Sequence, residues 1–259
     1  MKLSISFFLF AVLVMALVTG CSPAATATAV PTPVPPTPTP IPPPSTPSPQ
    51  DALAKLHWFG TSAFLYNGSK VIYFDPIALD GNLPKADIIL VTHAHSDHWS
   101  VADLQKIISP DTTLIIGPNV SQAYESDKAN LGIPATILNE GDKTEVAGVS
   151  IEAVPAFDTT YHPKGSGGLG YLVTVDGLVL YHAGGTDAYP EMANYKCDIA
   201  FVPVYSKNQA QAIVDVLPAK TVILEHTSYY AAVAVANLLN PNYGPAKTLV
   251  ALQDGPYNP

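Results

Sequence analysis

Thr92-His93-Ala94-His95-Ser96-Asp97-His98 is the stretch on which the reading of this chain turns. Four groups able to bind a metal fall within six positions, and three of them are imidazoles from a chain with only seven histidines. The stretch follows directly on Ile88-Ile89-Leu90-Val91, an unbroken apolar run that reads as a strand buried on both faces. A loop leaving the end of such a strand can curl so that neighbouring side chains converge. Neutral imidazoles suit zinc, and a carboxylate can complete the coordination sphere.

Working outward, Leu56 to Tyr66 is rich in β-formers, and Asn67-Gly68 after it signals a turn. Val71 to Phe74 reads as the next strand, ended by Asp75-Pro76. Downstream of the histidine-rich loop, helices are expected over Val101 to Ile108 and from Pro118 onward, with a strand at Leu114 to Ile116 between them. Strands follow near Val149 to Val154, Tyr171 to Val175 and Leu178 to Tyr181. Then strands Ile199 to Val202 and Thr221 to Leu224 alternate with helices Gln209 to Leu217 and Tyr230 to Leu239, and Thr248 to Leu252 fits a last strand. Meandering strands early and alternation later suit two packed sheets with helices outside. Two back-to-back αβ halves are compatible with the same order.

The chain has 259 residues, 47% of them hydrophobic, and a net charge of −9. All twelve basic residues are lysines. An acidic chain lacks the basic face that duplex binding needs, so nucleic acid is excluded as an expected partner. The absence of arginine removes the usual bidentate clamp on phosphate. Of the two cysteines, Cys197 stands alone in the folded part and reads as a small buried hydrophobe.

The first fifty residues read as address and tether. Phe7 to Val18 is an apolar run of twelve, too short to span a bilayer and of the length of a signal-peptide core. It ends in Val18-Thr19-Gly20-Cys21, which resembles the lipobox of bacterial lipoproteins. That resemblance implies removal of residues 1–20, lipidation of Cys21, and a protein exported and held by its lipid on the extracytoplasmic face of a membrane. Residues 21–50 hold twelve of the 26 prolines and are expected to form an extended spacer without helix or sheet. The folded domain is expected over 51–259.

The run His93-Ala94-His95-Ser96-Asp97-His98 resembles the H-x-H-x-D-H motif of metallo-β-lactamase-fold hydrolases. Other segments carry the likeness over most of residues 54 to 252: His57-Trp58-Phe59-Gly60-Thr61-Ser62, Tyr73-Phe74-Asp75-Pro76, and Val154-Pro155-Ala156-Phe157-Asp158 with Tyr161-His162-Pro163-Lys164-Gly165. So do Tyr181-His182-Ala183-Gly184-Gly185-Thr186-Asp187 with Pro190-Glu191-Met192, and Ile223-Leu224-Glu225-His226. Together they are similar to the branch that includes ascorbate-6-phosphate lactonase-like proteins. The resemblance implies an α+β fold, a four-layer αββα sandwich, binding zinc or manganese. It implies that His93 and His95 bind a first ion and that Asp97, His98 and His226 bind a second. Asp75 would fix the tautomer of a ligand histidine. His182 and His57 are expected to be structural.

Two departures from the family pattern matter. Where relatives carry an aspartate between the ions, this chain has Gly185; Asp187, two residues on, reaches in only after a backbone shift. Where many relatives carry a third histidine, this chain has Asp158; Asp158 could ligate, the nearby His162 could take the place or contact substrate, and a plain surface turn is the remaining reading. Without a bridging anion two dications repel, so one ion, or one tight and one weak, is expected. The chemistry implied is hydrolysis of an ester, lactone or phosphodiester of a small-molecule substrate. Asp97 would bind metal and orient the nucleophile, and Lys164 would meet an anionic group. The rival reading is a binding protein that keeps the fold and a metal but not turnover, and Gly185 is the feature that favours it.

Overall fold

The computed structural model describes residues 48–259. The signal-like segment, Cys21 and the spacer up to residue 47 lie outside the described residues. Among the described residues no helix is long and apolar enough to cross a membrane. Helix α1 (Pro49–Leu53) begins within the last two residues of the stretch expected to be extended. A capping box explains it: the Ser48 hydroxyl accepts from the Asp51 amide, and the Asp51 carboxylate accepts from the Ser48 amide. A proline in the first turn costs nothing there, because its missing N–H has no helical acceptor.

The first sheet is ordered β1 (Leu56–Gly60), β2 (Ala63–Asn67), β3 (Val71–Phe74), β4 (Ile88–Val91), β5 (Thr113–Ile116) and β6 (Ala135–Ile137). Strands β1 to β3 are antiparallel, and β3 to β6 are parallel. The second sheet runs β7 (Lys143–Val146), β8 (Val149–Pro155), β9 (Leu169–Val175), β10 (Leu178–His182), β11 (Ile199–Pro203), β12 (Thr221–Glu225) and β13 (Thr248–Val250). Here β7 to β10 are antiparallel and β10 to β13 parallel. Each half thus opens as a meander and closes as βα units, the back-to-back arrangement that the order of elements allowed.

The apolar strands sort their residues onto two faces. Ile88 and Leu90 point into the core between the sheets, with Phe64, Phe74, Tyr171, Leu180 and Phe201. Ile89 and Val91 pack outward with Leu104 and Ile107 of α2 (Val101–Ile107) and Leu131 of α3 (Ser121–Leu131). The second sheet does the same. Ile223 faces inward, while Val222 and Leu224 pack with Ile213 of α4 (Lys207–Val216) and Ala236 of α5 (Tyr229–Leu239). A strand buried on both faces has no polar alternation, which is why these read as continuous apolar runs. Helix, sheet, sheet, helix is the four-layer α+β sandwich of the metallo-β-lactamase fold.

Other elements also differ from the sequence reading. The β-rich stretch Leu56 to Tyr66 is broken in the middle, because Gly60 (φ 111°) and Thr61 (φ 49°) turn the chain back on itself. Strands β6 and β7 were not expected; they are short, partly exposed edge strands with no apolar run to announce them.

Candidate metal centre

The parallel strands of both sheets end on one edge of the sandwich, where their loops meet. Strand β4 delivers Thr92 to His98. Backbone hydrogen bonds from the His98 and Trp99 amides to the His95 carbonyl (both 2.9 Å) curl the loop into a tight turn. Ser100 caps α2 by accepting from the Asp103 amide, so the turn is held at its far end too. Loops after β8, β10, β11 and β12 bring Asp158 and His162, Gly185, Tyr205 and His226 to the same edge. The two sheets are pinned together there: Leu169 N–H donates to the Thr92 carbonyl (3.0 Å), and the Tyr171 hydroxyl to the Val91 carbonyl (2.8 Å).

Ligand-type atoms gather in two groups that share His93. One is His93, His95 and His162, the other His93, Asp97 and His98; within each, one ligand atom per residue lies within 4.8 Å of the rest. His226 joins the second, its Nε2 at 3.2 Å from His98 Nε2 and 3.5 Å from Asp97 Oδ2. His93, His95, His162 and His226 line a cleft of ≈ 280 Å³ with Asp97, Tyr161 and Tyr205. A larger groove on the outer face of the second sheet, ≈ 680 Å³, is lined by residues such as Lys143, Glu152 and Leu172 and holds no imidazole.

The rings are aimed by what grips their other nitrogen. Asp75 is buried, in the left-handed region (φ 42°), and accepts from the Thr92 amide, the Thr92 hydroxyl and His98 Nδ1–H, each at 2.7 Å. Burial alone would raise its carboxyl pKa, but the His98 imidazole and the Thr92 amide hold it below the ordinary value. Because the Thr92 hydroxyl donates to that carboxylate, it must accept from His93 Nδ1, 2.9 Å away. Asp158 grips His162 Nδ1 in the same manner. So three rings carry their proton on Nδ1 and leave Nε2 unprotonated, His93 and His162 at the cleft and His98 towards His226. His162 Nε2 is buried and has no hydrogen-bond partner. Burial first, then neighbouring imidazoles, pushes the pKa of His93, His95 and His226 down, which keeps their metal-binding form. A dication fits this donor set: it satisfies the orphaned nitrogen and is what oriented, unprotonated imidazoles bind.

The remaining expected residues are placed as follows. His162, not Asp158, places the third ligand-type atom in the first group, and Asp158 stands behind it as its carboxylate partner. Asp187 is turned away from the imidazoles, with its carboxylate accepting from the Thr159 amide (3.1 Å) and near the Thr159 hydroxyl (3.4 Å). Lys164 lies over the Phe157 ring, 5.3 Å from its centroid, and does not line the cleft. His57 donates to the Gly255 carbonyl (2.8 Å), and His182 is buried, donating to the Ser62 carbonyl (3.0 Å) while stacked on Phe74. Burial pushes the Cys197 thiol up to about 12.

Three participants escaped the sequence reading. Thr92 relays Asp75 to His93, and its place next to the motif was the one available clue. Tyr205 presents its ring edge to His226, with centroids 5.0 Å apart, and nothing in its surroundings marks it. Glu225, beside His226, is fully buried and accepts from the Ser62 hydroxyl (2.6 Å), and burial pushes its carboxyl pKa well above the ordinary range. His226 itself is left-handed (φ 59°), and its amide donates to the Thr61 carbonyl (2.9 Å), a strained conformation that the facing sheet sustains.

Residues 55–242 match the family model of the β-lactamase superfamily domain. A metal-dependent hydrolase of Thermococcus kodakarensis is 32% identical over 204 residues, covering 70% of this chain and 88% of the relative. One from Methanoculleus marisnigri is 34% identical over 161 residues, or 58% of this chain and 68% of the relative. A solved structure from Parabacteroides distasonis, named as a metal-dependent hydrolase, superposes with a TM-score of 0.65 at 29% identity, covering 77% of this chain and 93% of the other.

Proposed function

The chain belongs to the β-lactamase superfamily domain family, and on that premise we propose that it is a metal-dependent hydrolase that cleaves an ester, lactone or phosphodiester bond of a small molecule. The observation that carries the reading is the convergence of Nε2 atoms whose Nδ1 partners are already engaged. That preparation is what metal ligands need and what a solvated polar turn lacks. His93, His95 and His162 would hold the catalytic ion, zinc or manganese. Asp97, His98 and His226 would hold a second ion more weakly, since no carboxylate stands between the groups. A dication held there would lower the pKa of its water to about 7 and would polarise the scissile oxygen.

The chain's own groups do the rest. Asp97 is half-exposed at the cleft mouth, where its carboxylate would accept a hydrogen bond from the attacking water and orient it. Tyr161 and Tyr205 flank the opening and give an incoming substrate two aromatic walls with hydroxyl donors. The apolar run, Cys21 and the proline-rich segment support export and attachment through a lipid on Cys21, with the hydrolase domain on the outer side of the membrane.

Gly185 supports a second reading, a metal-binding protein without turnover. The discriminating experiment strips the purified full chain of metal, reloads it with zinc or manganese, and assays chromogenic esters, lactones and a phosphodiester. Turnover that returns with metal and vanishes in His95→Ala supports the hydrolase. Stoichiometric metal with no turnover on any substrate supports the binder.

A further inference from the structure

Gly185-Thr186-Asp187 contributes no donor to either ligand group, yet each of its residues touches the loop that carries His162. A Cβ at Gly185 would lie 2.8 Å from His162 Cε1, 3.0 Å from His162 Nδ1 and 2.9 Å from the Tyr205 hydroxyl. Gly185 is not among the glycines at positive φ, so space rather than backbone freedom is what the missing side chain supplies. Tyr205 could swing its half-exposed ring outward, but His162 is buried and its Nδ1 is gripped by Asp158. The ring cannot withdraw without breaking that link.

The next two residues hold the loop itself. The Thr186 hydroxyl accepts from the Phe157 amide (3.3 Å), and the Asp187 amide donates to the Phe157 carbonyl (2.9 Å). The Asp187 carboxylate accepts from the Thr159 amide (3.1 Å). Within the loop, the Asp158 amide donates to the His162 carbonyl (2.8 Å), and the Asp158 carboxylate also takes the Thr160 and Tyr161 amides. From outside, Gln209 donates to the Thr186 carbonyl (2.8 Å) and accepts from the Tyr205 amide (3.2 Å), fixing the segment against α4.

We infer that Gly185-Thr186-Asp187 is a cradle that positions His162: glycine clears the volume the imidazole occupies, and Asp187 anchors the loop that brings it in. The functional meaning rests on the metal reading above; the steric coupling stands apart from it. Gly185 and His162 are then one device, in which a neutral nitrogen donor from a loop fills the space a side chain at 185 would take. Such a donor set favours a borderline cation such as zinc over hard, oxygen-seeking ions.

The test uses the full chain as wild type, Gly185→Ala, His162→Ala, the double variant and Asp187→Asn. Thermal melting without metal and zinc titration against a chromophoric chelator are the two readouts. Gly185→Ala is expected to lower the metal-free midpoint, and His162→Ala in the same chain to restore it to that of His162→Ala alone. Gly185→Ala and Asp187→Asn should each weaken zinc binding roughly 10–100-fold, the range for losing a group that positions a ligand. The double variant should bind zinc no more weakly than His162→Ala, because coupled residues do not add. Additive losses, or zinc affinity within about twofold of wild type in Gly185→Ala, overturn the inference. If Gly185→Ala does not fold, the double variant decides: folding as well as His162→Ala supports the cradle, and failing to fold overturns it. A wild type that takes no zinc sinks the metal reading, while the melting comparison still judges the cradle.

Discussion

The two ligand groups meet at His93 but are held by different parts of the molecule. Asp97, His98 and His226 rest on the sandwich itself: His98 is gripped by Asp75 at the end of β3, and the His226 backbone is tied across to Thr61 on the other sheet. The group of His93, His95 and His162 depends on a loop. His162 arrives from the segment between β8 and β9, held by Asp158, Asp187 and the space at Gly185. The difference teaches that half of the centre is as firm as the core, while the other half is only as firm as one loop.

The largest expected effect comes from the shared corner. His93→Ala removes a donor from both groups, so metal content after gel filtration should fall to background and turnover with it. A variant that still carries stoichiometric metal would break the picture of a common corner. Next come the two carboxylates behind the rings. Asp75→Asn and Asp158→Asn should each weaken metal binding about 10–100-fold. They should part on stability. Asp75 is buried and holds Thr92 as well as His98, so its loss should cost on the order of 2–3 kcal/mol in denaturant unfolding, whereas Asp158→Asn should cost less. Equal costs would mean that the loop is as integral as the strand end.

A milder contrast comes from the far end of the sandwich, where Asp176 in the β9–β10 turn accepts from Lys55 (2.8 Å), the Tyr66 hydroxyl (2.8 Å) and the Ser69 amide (3.2 Å). Burial alone would raise its carboxyl, but the bonds from Lys55, Ser69 and Tyr66 hold it well below the usual carboxylate range. The unfolded chain therefore takes up this proton more readily than the folded one. The contribution is full above the unfolded value near 3.8 and is lost as pH falls from there through the folded value. Asp176→Asn should cost about 1–2 kcal/mol at neutral pH and flatten the acid limb of a stability profile. Zinc affinity should not change, and a loss there would mean that the two ends of the sandwich are coupled.

Legibility followed the range of the forces involved. The metal motif could be read because its residues sit in one turn, after a strand whose two buried faces leave a continuous apolar run. The buried strands of both sheets and the two later helices could be read for the same local reason. Strands β6 and β7 could not, since short edge strands of residues such as Lys143-Thr144-Glu145-Val146 carry neither an apolar run nor strict alternation.

By itself, then, the order of residues decided that a histidine-rich turn follows a doubly buried strand, since spacing and apolar pattern act between neighbours, while the αββα sandwich was legible there only through the resemblance of its motifs to a known family. Only the folded molecule decided that His162 rather than Asp158 completes the first group, that Asp187 faces the loop, and that Thr92 couples Asp75 to His93. Those outcomes hang on which atoms share one small volume. Residues as far apart in the chain as Gly185 and His162 compete for that volume only after the loops have closed around it.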